Sequence, residues 1–491
     1  MRYRGTALFL LLASSCAAQD YVTPDQFSFR VDTDLVYGAD TNYLGLVDTL
    51  RLDLYKPNGN SDTKRPLVVF VHGGNWLGGC KDDPSGIVPL LHQFVKRGYV
   101  VASVNYRLGW HKDDFVTDPV AGWPISLWPI SYRTFYALDS AELKRAVYRG
   151  MQDVKGAIRW LKARAVQDSV CADKVFVGGE SAGGFIALAT AFLDRSQEKP
   201  EACGVLPTAP SPYYKTLNGT AFECVLDSFV VDPSMLVRPD LGPVEGDLNM
   251  NGMDASVKGV ANFFGGVPSD AFALDWWQGV DTPAVYLYHQ TCDGIVLFDR
   301  GQPISTISGY CNLGSTPWHY NYPFMYGSGA IKTAFDAMAS PPTHITDFET
   351  CAPFDPNFAL FECNRYSNNG SYHYTANHAL RGQNLSAFWE PLASDADACA
   401  GMGTGELPAA PSPFVRLVQA NGSLIAQHVA LDGVVNCTMM DATGRILEQR
   451  VALGRAGQLE LSLPQTLSLG CYLLVLNTGE VALTQRFMAL R

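Results

Sequence analysis

The sequence predicts an α/β fold, a mostly parallel sheet flanked by helices, followed by a small C-terminal β-sandwich. Continuous apolar runs at Pro66–Val71 and Tyr99–Val104 are typical of strands buried on both faces of a parallel sheet. Segments with helical apolar spacing lie between such runs and predict helices that cover the sheet. Beyond residue 413 the pattern changes to short alternating strands separated by turns, which indicates a second unit. A length of 491 residues also exceeds that of one ordinary domain.

The elements of the first unit follow from these patterns in chain order. Leu50–Tyr55 alternates apolar and polar residues, which predicts a half-exposed strand. From Ser140 to Ala165 the apolar residues recur at helical spacing, at Val147, Met151, Val154, Ile158 and Leu161. The other expected strands are Pro66–Val71, Tyr99–Val104, Val175–Val177, Val257–Phe264, Ala284–His289 and Thr343–Phe348, and the other expected helices are Ile87–Arg97, Ala330–Met338 and Ala379–Trp389.

Three long segments interrupt this alternation. Residues 110–138 are rich in Trp, Pro and Tyr, and we interpret them as a surface loop or cap near the functional site. Residues 203–255 contain many prolines and glycines and are interpreted as an insertion over that site. Residues 351–377 are expected to be loop.

The domain boundaries follow from composition. We expect a first domain at residues 19–395, a linker rich in small residues and proline at 396–413, and the β-sandwich at 414–491. Within the sandwich, strands are predicted at Phe414–Gln419, Ser423–Ala430, Val434–Met440, Arg445–Val451, Leu459–Leu463, Tyr472–Asn477 and Val481–Ala489. Asp441–Arg445 and Asn477–Gly479 have the composition of hairpin turns.

The N-terminus predicts an exported protein. Arg2 and Arg4 precede the apolar run Ala7–Ala13, and small residues follow, as in a signal peptide spanning residues 1–18 that is cleaved before Gln19. The alternative is a lipid-modified Cys16, but the leucine usually found three residues before such a cysteine is absent. No later run reaches the roughly 18 apolar residues of a membrane span. We therefore expect a protein that is secreted or displayed at the cell surface.

The net charge and the cysteine content indicate which binding partners and ligands to expect. The 48 acidic residues outnumber the 36 basic ones, giving a net charge of −12, and no basic patch is present, so a nucleic acid is not an expected partner. None of the 12 cysteines forms a C-x-x-C pair, so no zinc site is indicated. Disulfides are typical of an exported protein. Proximity in the sequence favours the pairs Cys203–Cys224, Cys292–Cys311, Cys351–Cys363 and Cys437–Cys471.

One segment imitates a calcium-binding loop. Asp247–Asp254 carries side-chain oxygens at alternate positions and a glycine at the sixth, Gly252. The twelfth position is Lys258, where calcium requires a carboxylate. We interpret the segment as an asparagine-rich turn and predict no metal site.

The strongest functional signal is the sequence Gly179-Glu180-Ser181-Ala182-Gly183, which fits the pattern G-x-S-x-G. It follows the apolar strand Val175–Val177 and precedes a small, apolar helix start, so the serine would lie on a tight strand-to-helix turn. Such a turn exposes the serine Oγ at the positive N-terminus of the helix. Ser181 is the candidate nucleophile.

A serine hydroxyl requires a base that accepts its proton and an acid that orients this base. In sheets of this type the order along the chain is serine, acid, histidine. Asp293 follows the buried strand Ala284–His289 and is the candidate acid, with Asp299 as the alternative. For the base we favour His373, after a glycine loop and before the last helix, and His378 is the rival. The other downstream histidines, His319, His344 and His428, are less suitably placed.

The oxyanion that forms during acyl transfer requires backbone N–H donors. The turn from His72 to Trp76 follows the strand Pro66–Val71, and its glycines allow close approach of the main chain to a substrate. We expect Gly74 and Asn75 to donate from this turn and Ala182 to donate from the residue after the nucleophile. This machinery requires no cofactor.

These motifs carry a family resemblance. Val69–Trp76 (VFVHGGNW), Ser103–Gly109 (SVNYRLG) and Gly178–Gly184 (GGESAGG) resemble the carboxylesterase and hormone-sensitive-lipase-like branches of the α/β-hydrolase fold, and the similarity covers about residues 45–395. The segment from Met151 to Ala163 is similar to the helix that those esterases place before the nucleophile strand. Many relatives have a third glycine where this chain has Asn75. The HGGxW pattern also resembles that of kynurenine formamidases.

The C-terminal segment resembles a second family. Asp441–Arg445 (DATGR), Leu469–Leu473 (LGCYL) and the last strand are similar to the C-terminal sorting domains of the type IX secretion system of Bacteroidetes. This resemblance implies the type IX machinery as a partner during export across the outer membrane. The alternative is a carbohydrate-binding sandwich, although few aromatic residues are present there.

The resemblance implies a secreted serine carboxylesterase that acts on a small-molecule or polysaccharide-linked ester through Ser181, His373 and Asp293. Two alternatives stay open. One is a formamidase or a peptidase of the prolyl-oligopeptidase type with the same fold, and the other is a surface protein with an inactive hydrolase fold.

Overall fold

The computed structural model describes residues 20–491 apart from several gaps. These are 85, 112–139, 208–216, 223–224, 230–236, 251, 272–275, 278–281, 304–310, 312–322, 396–397, 400–415, 421–422, 428–430, 432, 442–445, 455–457, 464–469, 479–481 and 490–491. The chain divides into two compact units, Met1–Gly401 and Met402–Arg491.

The described part of the first unit contains thirteen strands and seven α-helices. The strands are β1 (Phe29–Thr41), β2 (Val47–Pro57), β3 (Arg65–Val71), β4 (Val100–Val104), β5 (Val170–Glu180), β6 (Leu217–Phe222), β7 (Val225–Phe229), β8 (Gly259–Phe263), β9 (Gly266–Pro268), β10 (Ala284–Gln290), β11 (Arg300–Gly301), β12 (Met325–Gly327) and β13 (His344–Glu349). The helices are α1 (Val88–Val95), α2 (Ser140–Ala163), α3 (Ala165–Asp168), α4 (Ala182–Phe192), α5 (Ser328–Asp336), α6 (Ala359–Asn368) and α7 (His378–Ala393). Among the described helices, none combines the length and apolar character that crossing a membrane requires.

Eight strands form the central sheet in the order β1-β2-β4-β3-β5-β8-β10-β13. The pairs from β4 to β13 are parallel, and β1 and β2 join one edge in antiparallel orientation. Because parallel strands place their carboxyl ends at one edge, the loops after β3, β5, β8 and β10 meet there. This arrangement is the predicted mostly parallel α/β sheet.

The sheet is buried on both faces, as the continuous apolar runs predict. Alternate residues of β3 enter different apolar clusters, with Val69 in one and Val68 and Phe70 in the other. Helices α2 and α4 complete the first cluster, and α1 and α7 complete the second. The two layers of helices therefore fix the strand ends that carry the site.

The second unit is antiparallel throughout its described strands. These are β14 (Arg416–Ala420), β15 (Ser423–Gln427), β16 (Gly433–Asp441), β17 (Ile446–Gly454), β18 (Gln458–Ser462), β19 (Gly470–Asn477) and β20 (Ala482–Ala489). They form one sheet of three strands, β14-β15-β18, and another of four, β17-β16-β19-β20. Buried residues of both sheets, including Leu459, Leu461 and Leu474, share one apolar cluster, as expected for a sandwich.

The structure corrects one interpretation of the long segments. Residues 351–377 are not all loop, because they contain α6. Sequence periodicity conceals this helix, since it exposes Leu360 and Phe361 while it buries Glu362 and Tyr366. Part of the insertion, residues 237–250, packs along α2, where Gln152 donates hydrogen bonds to two of its carbonyls. The predicted cap at 110–138 lies almost wholly outside the described residues.

The predicted disulfide pairs are wrong. The structure joins Cys171 to Cys399, Cys292 to Cys351 and Cys311 to Cys363, whereas Cys203 and Cys437 are buried free thiols. Cys292 and Cys351 are 59 residues apart, yet each follows one of the paired parallel strands β10 and β13. Spatial proximity at the sheet edge, rather than proximity along the chain, therefore determines this pairing.

Candidate active site

Ser181 lies on a strained turn between β5 and α4. Its φ is 52°, in the left-handed region, and its amide donates to the Phe263 carbonyl on the neighbouring strand at 2.9 Å. A Cβ on Gly183 would lie 2.1 Å from the Val71 carbonyl oxygen, and one on Gly179 would lie 2.1 Å from the Gly183 carbonyl oxygen. The glycines of the motif are therefore required because neighbouring backbone occupies the space of a side chain.

The structure brings the predicted nucleophile, base and acid into one line. Nε2 of His373 lies 2.7 Å from Oγ of Ser181, and Nδ1 of His373 lies 2.7 Å from Oδ2 of Asp293. Both distances are within hydrogen-bonding range. The imidazole can therefore accept the serine proton at Nε2 while its Nδ1–H donates to the carboxylate.

The base loop is tied to the acid loop and to the sheet. The turn Gly370–Tyr372 precedes His373, and the Gly294 amide, next to Asp293, donates to the Ser371 carbonyl at 2.9 Å. The ring of Phe264 packs edge-on against the His373 imidazole, with the ring centroids 4.6 Å apart. These contacts hold the imidazole between serine and carboxylate.

The alternative residues lie elsewhere. His378 is the first residue of α7, and the hydrogen bond to Ser181 is made by His373. Asp299 is exposed, and its carbonyl accepts the Gly327 amide. His344 lies on β13 and bonds to the Pro342 carbonyl, whereas His319 and His428 are outside the described residues.

Asp293 is a buried carboxylate with a full set of donors. Oδ1 accepts the amides of Ile295 and Val296 at 2.8 and 3.0 Å. Oδ2 faces His373 and also Nε2 of His289, which is 3.2 Å away. Burial by itself would raise the pKa of Asp293, but the charge of His373 and the hydrogen bonds from both histidines hold this pKa below its usual value. The acid is therefore ionised at neutral pH.

The glycine turn after β3 borders the nucleophile. A Cβ on Gly73 would lie 3.1 Å from the Cβ of Ser181, so the backbone of this turn passes directly beside the serine. Gly74 has a φ of 111°, and a Cβ there would lie 2.2 Å from the Gly78 carbonyl oxygen. Ala182 begins α4, and the first amides of a helix have no partner within the helix. The predicted donors Gly74, Asn75 and Ala182 thus lie in the segments that flank Ser181.

Residues 109 and 110 hold the turn after β3 in its unusual conformation through hydrogen bonds. Asn75 and Trp76 both have positive φ, 53° and 56°. The Trp110 indole N–H donates to the Asn75 carbonyl at 3.2 Å, and the Gly109 amide donates to the Trp76 carbonyl at 2.6 Å. The departure from a third glycine at Asn75 is therefore accommodated by contacts from residues 109 and 110.

Two titratable groups beside the site were not given a role from sequence. Burial, with the nearby Asp83 carboxylate, raises the pKa of Glu180 to about 7, although the charge of His373 opposes this rise. Burial lowers the pKa of His72 to about 4, so its neutral ring donates from Nδ1 to the Gly73 carbonyl at 2.8 Å. The position of Glu180 directly before Ser181 is the sequence feature that could have indicated that it lies at the site.

A cluster of potential metal ligands is present among the described residues. There, the one cluster of suitable side chains is Cys171, Asp173 and Cys399, whose two sulfur atoms are joined in a disulfide and so are not thiolate ligands. In the calcium-like segment, the Asn249 amide donates to two backbone carbonyls and Asp254 pairs with Lys162 at 2.6 Å. These side chains are engaged in hydrogen bonds and an ion pair within the protein.

Comparison with known proteins gives matches to two family models. The family model BD-FAE matches residues 52–115, and a model described as alpha/beta hydrolase fold matches residues 146–235. The first segment contains the glycine turn and the second contains Ser181. Together with the strand order, these matches show that the chain has the α/β-hydrolase fold.

Individual relatives cover parts of the chain. Carboxylesterase patB of Penicillium expansum is 28% identical over 227 residues, which are 42% of this chain and 36% of that protein. Isoprenylcysteine alpha-carbonyl methylesterase ICME of Arabidopsis thaliana is 40% identical over 81 residues, which are 16% of each chain. The solved esterase Est2 of Thermogutta terrifontis has 17% identity and a TM-score of 0.34, covering 70% of this chain and 91% of that one. The matched regions span well under two thirds of the two curated relatives.

Proposed function

We propose that this protein is a serine carboxylic ester hydrolase with Ser181 as nucleophile, His373 as general base and acid, and Asp293 as the residue that orients the base. The observation that carries this proposal is the unbroken hydrogen-bonded line from Ser181 through His373 to Asp293, with 2.7 Å at each step. The similarity to carboxylesterase patB supports the choice of an ester as the substrate.

The proposed reaction has two steps. Ser181 Oγ attacks the ester carbonyl carbon as His373 Nε2 takes its proton, and the carbonyl electron pair moves to the oxygen. The amides of Gly74, Asn75 and Ala182 stabilise this oxyanion, which collapses as the C–O bond breaks and His373 protonates the leaving alcohol. Water then attacks the acyl-serine with His373 again as base, which releases the acid and restores Ser181.

The same proposal includes export and secretion. Three disulfides among the described residues support an oxidising compartment. The separate C-terminal sheets support an appended sorting domain for the type IX machinery, and the substrate would be a small-molecule or polysaccharide-linked ester. Loss of extracellular protein on deletion of residues 414–491, with retention of intracellular protein, would support the sorting role. Unchanged secretion would exclude it.

The activity is tested with p-nitrophenyl acetate, comparing the wild type with Ser181→Ala. We expect release of p-nitrophenol that depends on Ser181, since the variant lacks the nucleophile while the helix start is preserved. Equal rates for both proteins would refute the assignment. A panel of acetyl, feruloyl and longer acyl esters, with an aryl formamide and a proline-containing peptide amide, then separates an esterase from a formamidase or a peptidase.

A further inference from the structure

We propose that His289 is a positioning residue for the triad acid: a hydrogen-bonded chain from Asn262 through Ser328 holds its ring so that Nε2 lies 3.2 Å from Oδ2 of Asp293. This inference rests on the proposed serine hydrolase function and adds a residue that the triad itself does not include. His289 lies at the end of β10, four residues before Asp293.

The contacts of His289 fix its tautomer. Nε2 lies 3.0 Å from the Val296 carbonyl oxygen, which can only accept a hydrogen bond. Nδ1 lies 2.9 Å from the Ser328 hydroxyl and 3.4 Å from the Ser328 backbone amide, which can only donate. Nε2 therefore carries the proton and Nδ1 is the acceptor. The same Nε2 also lies 3.2 Å from Oδ2 of Asp293, so its one N–H is shared between the Val296 carbonyl and this carboxylate.

The chain continues in the same direction behind His289. The Asn262 side-chain amide donates to the Ser328 hydroxyl oxygen at 3.1 Å, which leaves the hydroxyl hydrogen for His289 Nδ1. Asn262, Ser328 and His289 are all 0% exposed, so water does not compete for these bonds. A Cβ on Gly184 would lie 2.4 Å from Oδ1 of Asn262, so the chain begins directly beneath the nucleophile helix.

This arrangement places two ring nitrogens beside Oδ2 of Asp293, Nδ1 of His373 at 2.7 Å and Nε2 of His289 at 3.2 Å. The two backbone amides on Oδ1 complete the set, so the carboxylate is held in one orientation by three groups besides the base. Among the described residues, the titratable groups that interact with Asp293 include His289 on β10, His373 on its own loop and Tyr366 on α6. Removal of His289 takes one neighbour from Oδ2 and leaves the carboxylate held by the two amides on Oδ1 and by the base, so its orientation is less tightly fixed.

Two consequences follow for turnover. A carboxylate whose orientation is less tightly fixed aligns the imidazole less well, and a misplacement of about 1 Å at an active site costs on the order of 100-fold in rate. A carboxylate with one donor fewer also binds the proton on Nδ1 of His373 more strongly and favours the imidazolium. The acidic limb of the pH–rate profile would then move to higher pH.

The test compares His289→Phe, which keeps the ring but removes both nitrogens, with His289→Gln, which keeps a side-chain N–H donor. Turnover of p-nitrophenyl acetate is measured against pH and divided by the concentration of active sites titrated with an organophosphate. For His289→Phe we expect kcat to fall about 10-fold or more and the acidic limb to rise by about 0.5 pH unit or more. His289→Gln should restore part of both.

Ser328→Ala is the second variant, since it removes the contact that orients His289 and leaves the acid and base untouched. It should move the same limb in the same direction by a smaller amount, even if His289→Phe fails to fold. An unchanged limb and unchanged kcat per active site in folded variants would overturn the positioning role while wild-type activity stands. If wild-type turnover does not depend on Ser181, the proposed function fails, and the positioning role fails with it.

Discussion

Replacement of Gly183 by alanine should abolish most activity while the protein stays folded. The new Cβ would lie 2.1 Å from the Val71 carbonyl oxygen and 2.6 Å from the His72 carbonyl oxygen, whereas real Cβ contacts essentially never fall below 3.0 Å. The end of β3 and the start of α4 must therefore separate by about 0.9 Å. That movement displaces the oxyanion turn relative to Ser181, and a shift of this size costs on the order of 100-fold in rate. Overpacking of this kind typically costs about 1–3 kcal/mol of stability.

The assay is kcat/KM for p-nitrophenyl acetate together with urea denaturation. Gly78→Ala is the matched control, because a Cβ there would meet no atom within 4 Å, and its activity should stay within about twofold of the wild type. A folded Gly183→Ala protein with activity close to that of Gly78→Ala would refute the steric account of the turn.

Three further outcomes are expected. His373→Ala should lower kcat by at least about 10⁴-fold and His378→Ala should not, because the former contacts Ser181; equal losses would refute the choice of base. In the wild type, the free energy of unfolding should fall by up to about 3 kcal/mol between pH 4.5 and about 7, because the native state favours the protonated carboxyl of Glu180. Glu180→Gln should remove this fall, as measured by urea denaturation at several pH values. A parallel pH dependence in both proteins would contradict this. The double variant Cys292→Ser and Cys351→Ser should lose up to about 4 kcal/mol of unfolding free energy in the same assay, because the disulfide closes a loop of 59 residues. Unchanged stability would exclude a stabilising role for this disulfide.

Local sequence patterns predicted the parts of the fold that depend on local chemistry. Continuous apolar runs predicted the buried strands β3 and β4, and glycine spacing predicted the turn at Ser181, because both are determined by neighbours along the chain. The order serine, acid, histidine was enough to propose Asp293 and His373, which the structure then places around Ser181.

Contacts between distant segments were beyond such patterns. The disulfide partners meet only after β10 and β13 pair, so sequence proximity gave the wrong bonds. The helix α6 was missed because its exposed face is apolar and its buried face carries Glu362. The role inferred for His289 depends on Ser328, which is 39 residues away and approaches only in the folded sheet.

The positive φ of Ser181 lowers the stability of the fold while it exposes the serine hydroxyl. A non-glycine residue in the left-handed region is disfavoured by about 1–2 kcal/mol, which the surrounding sheet and helix must offset. Glycine would adopt the same backbone more easily, so stability alone favours losing the hydroxyl at residue 181. Stability and an exposed hydroxyl therefore make opposite demands on residue 181.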